Sequence, residues 1–435
     1  MSISEAFKDF LSNIAVDNAQ TITERYGQLT RVLNKKFRDS DSDTANTLQV
    51  GSYGRWTAIK GISDLDMLYI MPKSAWDSYR NDGQSDLLSD TAKAIRARYP
   101  QTDIRVDRLV VRVMYTSFHV EVQPVFAQDD GSFLYPETYY GGSWKTTKPK
   151  LEMTAMSEFN TQKNNNLRRL CKMARAWKNK HGVAMGGLLV DTLAHNFLQS
   201  TSSYDDKSYL YYDYMSRDFF LYLSQLPKQD YFMALGSGQR VKVRKNFQDK
   251  AGKAHELCLK AVAAEGSDGR NDKWRAVYGR AFPAPVKLAK ANLVEDRALA
   301  TEQFVEAILP VDIRYHIQID CEVTQDGFRP ASLRDMIAKR SFLMPRKRLR
   351  FKVVADNIPA QYGLFWKILN RGDEAVRRSC VRGQIVADHG HKEVIERTSF
   401  RGDHIVECYA VLDGVVVATD RIHVPITSNA EDRYE

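Results

Sequence analysis

The stretch that most constrains this chain is residues 49–72, QVGSYGRWTAIKGISDLDMLYIMP, where a Gly-Ser turn is followed by two aspartates on an apolar strand. Strand side chains alternate between faces, so Asp64 and Asp66 point one way and Leu65 and Met67 the other. Two carboxylates side by side repel unless they share a cation. Oxygen-only ligands of this kind suit Mg²⁺, which keeps several waters and shares its shell with substrate phosphates. Just upstream, Gly51, Ser52 and Gly54 offer backbone N–H groups and a hydroxyl, the parts of a phosphate-cradling turn. A polyphosphate and a divalent metal are therefore expected in one place.

A third carboxylate strengthens that expectation. In SFHVEVQPVF, residues 117–126, alternation puts His119, Glu121 and Gln123 on one face and Phe118, Val120 and Val122 on the other. Laid beside the Asp64 strand, Glu121 completes a cluster able to hold two Mg²⁺ ions about 3.5–4 Å apart, with Mn²⁺ as the alternative ion. Taken singly, a DxD on a strand is most often a solvated edge, and a Gly-Ser pair most often only a turn.

Around this centre the periodicity predicts one long amphipathic helix over 3–38, with Phe7, Phe10, Leu11, Ile14, Ile22, Leu29, Val32, Leu33 and Phe37 as its apolar stripe. A polar break at 39–46, a helix over 85–98 and strands over 108–114 and 118–125 make a small mixed α/β lobe over 47–128. A Gly-, Pro- and Tyr-rich linker, 129–150, leads to a helical lobe over 150–283. There LRRLCKMARAWKNKHG sets Leu167, Leu170, Cys171, Ala174 and Trp177 on one face and Arg168, Arg169, Lys172 and Arg175 around the other, ending at Gly182. The tyrosines of 203–223 read as core aromatics more readily than as base-stacking rings.

Residues 286–309 read as a charged helical connector, and 310–428 as an all-β domain of about six or seven strands, most simply a sandwich. Its strands are expected in DIRYHIQIDCEV, LRFKVVADN, VRRSCVRGQIVAD and the run from His404 to Ile426, where Asp413-Gly414 marks a hairpin. It carries no catalytic constellation; His389 and His391 flank a glycine without the pattern of a metal site.

Gly-Ser, then DxD, then a strand of the form VEVQPVF is the signature of the DNA polymerase β-like nucleotidyltransferases. Within them, GSYGR, SDLD and VEVQPVF most resemble the bacterial CD-NTases, relatives of cyclic GMP-AMP synthase and oligoadenylate synthetase, over roughly residues 1–285. The resemblance implies a bilobal α/β (α+β) core with a mixed sheet and a helical lobe, the first helix acting as a spine. It also implies that the appended β sandwich is an accessory sensor-like domain, with YGLFWKILNRGDEA as its most recognisable stretch. Glu121 stands where many relatives carry Asp. By the same resemblance Lys172 matches a helix lysine aimed at the donor triphosphate, although Gly186 and Gly187 stand near where relatives often carry a serine.

The expected chemistry is nucleotidyl transfer from an NTP to a ribose hydroxyl with release of pyrophosphate. Asp64, Asp66 and Glu121 are the catalytic metal ligands, and Gln49, Gly51, Ser52 and Lys172 contact the nucleotide. The implied product is a cyclic or linear oligonucleotide second messenger acting on a downstream effector, in anti-phage signalling. Nucleotidylation of a protein or an RNA end, and inactive nucleotide or nucleic-acid binding, are the rival readings.

A net charge of +9 suits anionic partners, from NTPs to a nucleic-acid activator, and leaves room for a protein activator. The basic runs at 239–250 and 339–352 read as solvated surface. Five scattered cysteines without a CxxC argue against a disulfide framework, and no stretch has the length and apolarity of a membrane span. With no apolar leader at the start, the cytoplasm is the expected compartment.

Overall fold

In a computed structural model, the described residues are 1–285, 302–324, 329–341, 343, 347–371, 375, 377–378, 380–398 and 402–426. Most of the expected connector lies outside them. The chain divides into two compact units, Met1–Lys180 with Gly186–Pro285, and Val286–Glu435 with His181–Met185.

The first unit begins with two helices where the apolar stripe predicted one. α1 (Ile3–Asn13) opens on a capping box, in which the Ser2 hydroxyl accepts from the Glu5 amide and Glu5 accepts from the Ser2 amide. α2 spans Ala19–Arg38. The break falls at Asp17 and Asn18, residue types that compete with helical backbone for hydrogen bonds, and the Ile14 carbonyl accepts from Lys60 N–H at 2.8 Å. The two halves bury different faces. Phe7 and Phe10 pack with Trp274, Tyr278 and Phe282, ring centroids 4.8–6.4 Å away, whereas Ile22, Leu29 and Leu33 join the core under the sheet.

That sheet runs β1 (Thr47–Gln49), β2 (Asp64–Ile70), β5 (His119–Ala127), β4 (Val111–Met114), β3 (Ile104–Val106). β2 and β5 are parallel and every other neighbour is antiparallel. Leu65, Met67, Val111, Val113, Val120 and Val122 face the core shared with α2 and with α5 (Gln84–Arg98). The expected linker is in part a hairpin, β6 (Phe133–Glu137) and β7 (Ser143–Thr147), which extends the sheet from the end of β5. Trp144 holds it down by packing on Trp76 and Phe126; its aromatics made the segment a strand despite the glycines at the turn.

The helical lobe contains α6 (Pro149–Gln162), α7 (Asn166–Lys180), α8 (Gly187–Gln199), α9 (Tyr212–Gln225), α10 (Gln248–Ala263) and α11 (Arg270–Tyr278). Within the tyrosine-rich stretch, Tyr204 and Tyr212 are buried in this lobe, as core aromatics, while Tyr211 and Tyr214 are exposed. The basic run at 239–250 lies largely at the surface.

The second unit has two four-stranded sheets: Ala331–Ser332, Ile317–Thr324, Arg348–Asp356 and Glu393–Arg397 in one, Ile385–Ala387, Gly363–Arg371, Gly402–Leu412 and Val415–Ile426 in the other. Both contribute to one apolar core, including Ile319, Phe351, Trp366, Cys408 and Val424. Asp413 and Gly414 make the hairpin turn with φ of 51° and 78°, the left-handed pair that such two-residue turns require. Among the described residues of VRRSCVRGQIVAD only Ile385–Ala387 is a strand, and it pairs with Gly363–Arg371, a strand inside the sheet. Buried Lys367 lies in that strand, satisfied by Glu302 at 2.7 Å and Glu407 at 3.5 Å. No helix among the described residues is long and apolar enough to cross a membrane.

Candidate active site

The site is built by strand register. Because β2 and β5 run parallel with Asp66 opposite Glu121 and Asp64 opposite His119, the three carboxylates project from adjacent strands on one face. One oxygen from each lies within 4.8 Å of the others, and all three residues are half-buried. Among the described residues this is the one group of three or more His, Cys, Asp or Glu placed to hold a metal ion. An all-carboxylate, partly wet cluster fits a hard divalent cation such as Mg²⁺ and does not fit the N/S ligands of a zinc site.

Neighbouring groups orient the cluster. Arg112, opposite Glu121 on β4, donates from Nε to Glu121 Oε1 at 3.1 Å and from Nη2 to Asp107 at 3.0 Å. His119 Nε2 lies 3.3 Å from the same Glu121 oxygen, and the Ser63 hydroxyl donates to Asp64 Oδ1 at 3.1 Å. Arg112 was legible in principle: in VVRVM it is the charged residue on the face away from Val111 and Val113, and a hairpin sets it beside Glu121.

The Gly-Ser turn closes against this cluster. Val50 N–H donates to the Asp66 carbonyl at 3.0 Å, and Gly51 starts the one-turn helix α3 (Gly51–Gly54) at φ +66°. A Cβ on Gly51 would overlap the Asp66 carboxylate and sit 2.6 Å from its Cγ, so only glycine permits this approach. The first amides of such a turn have no intrahelical acceptor. Gln49 ends β1 opposite Met67, with its carbonyl packed under Gly54.

Lys172 lies on the helical lobe and not on the carboxylate-bearing sheet. It is half-buried on α7, and it makes no hydrogen bond or ion pair with the carboxylates. Burial, followed by the charges of Arg168 and Arg175, holds its pKa below the usual lysine range.

A buried ionic network behind the turn is absent from the sequence reading. Arg55 donates from Nε to Asp191 Oδ2 at 2.9 Å and from Nη1 to Glu152 Oε2 at 3.4 Å, while Arg175 Nη1 donates to Asp191 Oδ1 at 2.5 Å. All four side chains are at most 7% exposed. Burial raises the Asp191 pKa, but the two guanidiniums outweigh it and bring the group down to about 2. For Glu152 burial wins over the more distant Arg55 and the pKa is raised. An aspartate inside the apolar run GGLLVDTLAHNF was the one sequence signal for this network.

Comparison with known proteins agrees with this geometry. Residues 1–160 match the Second Messenger Oligonucleotide or Dinucleotide Synthetase (SMODS) domain, and residues 299–427 the Adenylyl/Guanylyl and SMODS C-terminal sensor domain. The chain is 21% identical over 312 residues to a cyclic AMP-AMP-AMP synthase of Acinetobacter sp. (strain ATCC 27244 / 9458), covering 67% of this chain and 89% of that one. In fold it is similar to Escherichia coli MS115-1 CdnC, solved in complex with HORMA-deltaN, with a TM-score of 0.51 at 14% identity over 64% of this chain and 98% of that one. Vibrio cholerae DncV cyclic AMP-GMP synthase, solved with a linear intermediate, aligns at a TM-score of 0.43 and 13% identity over 65% and 87%. The two domain matches and the carboxylate-bearing sheet agree: residues 1–160, which hold that sheet, match a second-messenger oligonucleotide synthetase domain, and residues 299–427 match the C-terminal sensor domain named with it.

Proposed function

We propose that this chain is a Mg²⁺-dependent synthase that joins NTPs into a cyclic or linear oligonucleotide signal, releasing pyrophosphate, and that it works in anti-phage signalling through a downstream effector. The observation that carries the reading is the register of Asp66 with Glu121, flanked by Asp64 and closed by Gly51. ATP is the first donor to test, since the Acinetobacter relative is named for a product made of AMP units.

Asp64, Asp66 and Glu121 would hold two divalent ions, each residue offering a carboxylate oxygen to the cluster. Ions bound there lower the pKa of the acceptor hydroxyl and neutralise charge on the triphosphate and the leaving pyrophosphate. Arg112 and His119 keep the Glu121 carboxylate in one orientation. Gly51 and Ser52 would grip the terminal phosphates through backbone N–H groups and the hydroxyl, setting the in-line geometry that supplies much of the rate gain. Gln49 and Lys172 are the outlying nucleotide contacts, Lys172 as a cation whose depressed pKa an anionic neighbour would restore. The five free cysteines support a reducing, cytoplasmic setting.

Labelled NTPs, Mg²⁺ and purified protein separate the readings. Small phosphatase-resistant products support a cyclic signal and small phosphatase-sensitive ones a linear signal. Label on protein or RNA would instead mean nucleotidylation of a macromolecule. No turnover with any NTP mixture, with or without nucleic acid or a partner protein, would leave a binding protein.

A further inference from the structure

We propose that Asp191, on the helical lobe, is the positioning residue of the phosphate turn, acting through Arg55 and Thr57. The inference rests on the reading of Gly51-Ser52 as the turn that holds the triphosphate.

Of the three residues whose amides hold the Gly51 and Ser52 carbonyls, two, Arg55 and Thr57, also meet Asp191 through their side chains. Arg55 N–H donates to the Gly51 carbonyl at 3.1 Å, and Thr57 N–H donates to the Ser52 carbonyl at 2.9 Å, with Ala58 N–H joining at 3.1 Å. Their side chains then converge on one oxygen: Arg55 Nε reaches Asp191 Oδ2 at 2.9 Å and Thr57 Oγ1 reaches it at 3.0 Å. The Thr57 hydroxyl also lies 3.3 Å from the Ser52 carbonyl, but it has one proton. The carboxylate is nearer and charged, so the proton goes to Asp191.

Asp191 itself cannot shift. Its other oxygen is held by Arg175, whose Nη2 donates to the Gly187 carbonyl at 3.0 Å, and Arg168 Nε donates to the Arg55 carbonyl at 3.2 Å. Asp191 and Thr57 are both fully buried, so water does not compete for these bonds. With the Gly51 and Ser52 carbonyls held by the Arg55 and Thr57 amides, two peptide planes are set, and so are the Ser52 and Tyr53 amides on their opposite side. A displacement of about 1 Å in such a group can cost about 100-fold in rate. Asp191 therefore does for the turn what a second layer of hydrogen bonds does for a metal ligand: it touches no reacting atom and fixes one that does.

Thr57→Val removes the hydroxyl while keeping the volume and every ion pair, and Thr57→Ser keeps the hydroxyl. Full-length wild-type protein and both variants are compared by hydrogen–deuterium exchange of peptides covering residues 50–58 and, with ATP and Mg²⁺ as probe, by KM and kcat. The expected result is exchange at 50–58 at least about tenfold faster in T57V, with the remaining sheet lobe unchanged. KM should rise about tenfold or more, and T57S should restore both values to within about threefold of wild type. Wild-type exchange at 50–58 in T57V, a rise spread evenly over the lobe, or T57S matching T57V would overturn the proposal. Failure of ATP with Mg²⁺ to protect 50–58 in the wild type would instead sink the phosphate-turn reading, while the exchange of T57V still decides the role of Asp191.

Discussion

Gly51 and Asp66 approach so closely that the space a Cβ would need on Gly51 is taken by the Asp66 carboxylate. The Gly-Ser turn and the Asp66 strand are thus packed directly against each other. Gly51→Ala must both leave the left-handed φ of +66° and push Asp66 aside. We expect turnover to fall by at least about 100-fold with the circular dichroism spectrum retained. Pyrophosphate release by a folded G51A protein at near wild-type rate would refute the packing argument.

The carboxylate cluster concentrates like charge. Asp64→Asn with Asp66→Asn should abolish NTP turnover while leaving the thermal midpoint at or above that of the wild type, because removing mutually repelling anions opens no core cavity. Mg²⁺ should raise the midpoint of the wild type and leave that of the double variant unmoved. Titration of the midpoint with Mg²⁺, in the absence of nucleotide, checks the ligand set independently of catalysis.

Lys172 should make nucleotide affinity pH-dependent. Its folded pKa is below the ordinary 10.5, so its positive charge is present at low pH and lost as pH rises through that depressed value, earlier than for a free lysine. A triphosphate beside it favours the charged form and restores the pKa, so binding should weaken with rising pH and take up protons there. Binding of ATP to Lys172→Met should lose this alkaline dependence. Calorimetry in buffers of different ionisation enthalpy gives the proton count; equal uptake by wild type and K172M would place Lys172 away from the nucleotide.

Asp191 should leave an acid signature in stability. Its folded pKa of about 2 lies below the ordinary 3.8, so its contribution is present above about pH 4 and is lost as pH falls toward 2. That shift corresponds to about 2 kcal/mol. Asp191→Asn leaves Arg175 buried without its anion and Arg55 with only the more distant Glu152, at a cost of about 3–5 kcal/mol at pH 7. The gap between wild type and D191N in denaturant unfolding should be constant from pH 7 to 5 and narrow below pH 4. A gap that stays constant down to pH 3 would mean that folding leaves the Asp191 pKa unshifted, and one that widens as pH falls would mean that Asp191 is protonated in the folded protein.

Much of the site was legible because strand alternation is local. The positions of Asp64 and Asp66, and of Glu121 against Val120 and Val122, follow from the period-two geometry of any half-buried strand, and the Asp413-Gly414 turn follows from which residues tolerate positive φ. The same local reasoning failed at Asp17-Asn18: an unbroken apolar stripe does not reveal that its two halves serve different cores. It also passed over the strand Gly363–Arg371, where residues on both faces are buried, including Lys367, so the alternation that marks a half-exposed strand is absent.

The sequence by itself therefore determined the chemistry on offer: three carboxylates, a glycine-bearing turn and the apolar surfaces that carry them. Only the tertiary structure decided that β2 lies parallel to β5 in the register that pairs Asp66 with Glu121, and that Asp191, 134 positions beyond Thr57, closes behind the turn. The physical reason is that side-chain direction is set by backbone geometry within a few residues. The choice of neighbour between distant segments is set by packing and by the need of buried charges for partners, which no local pattern encodes.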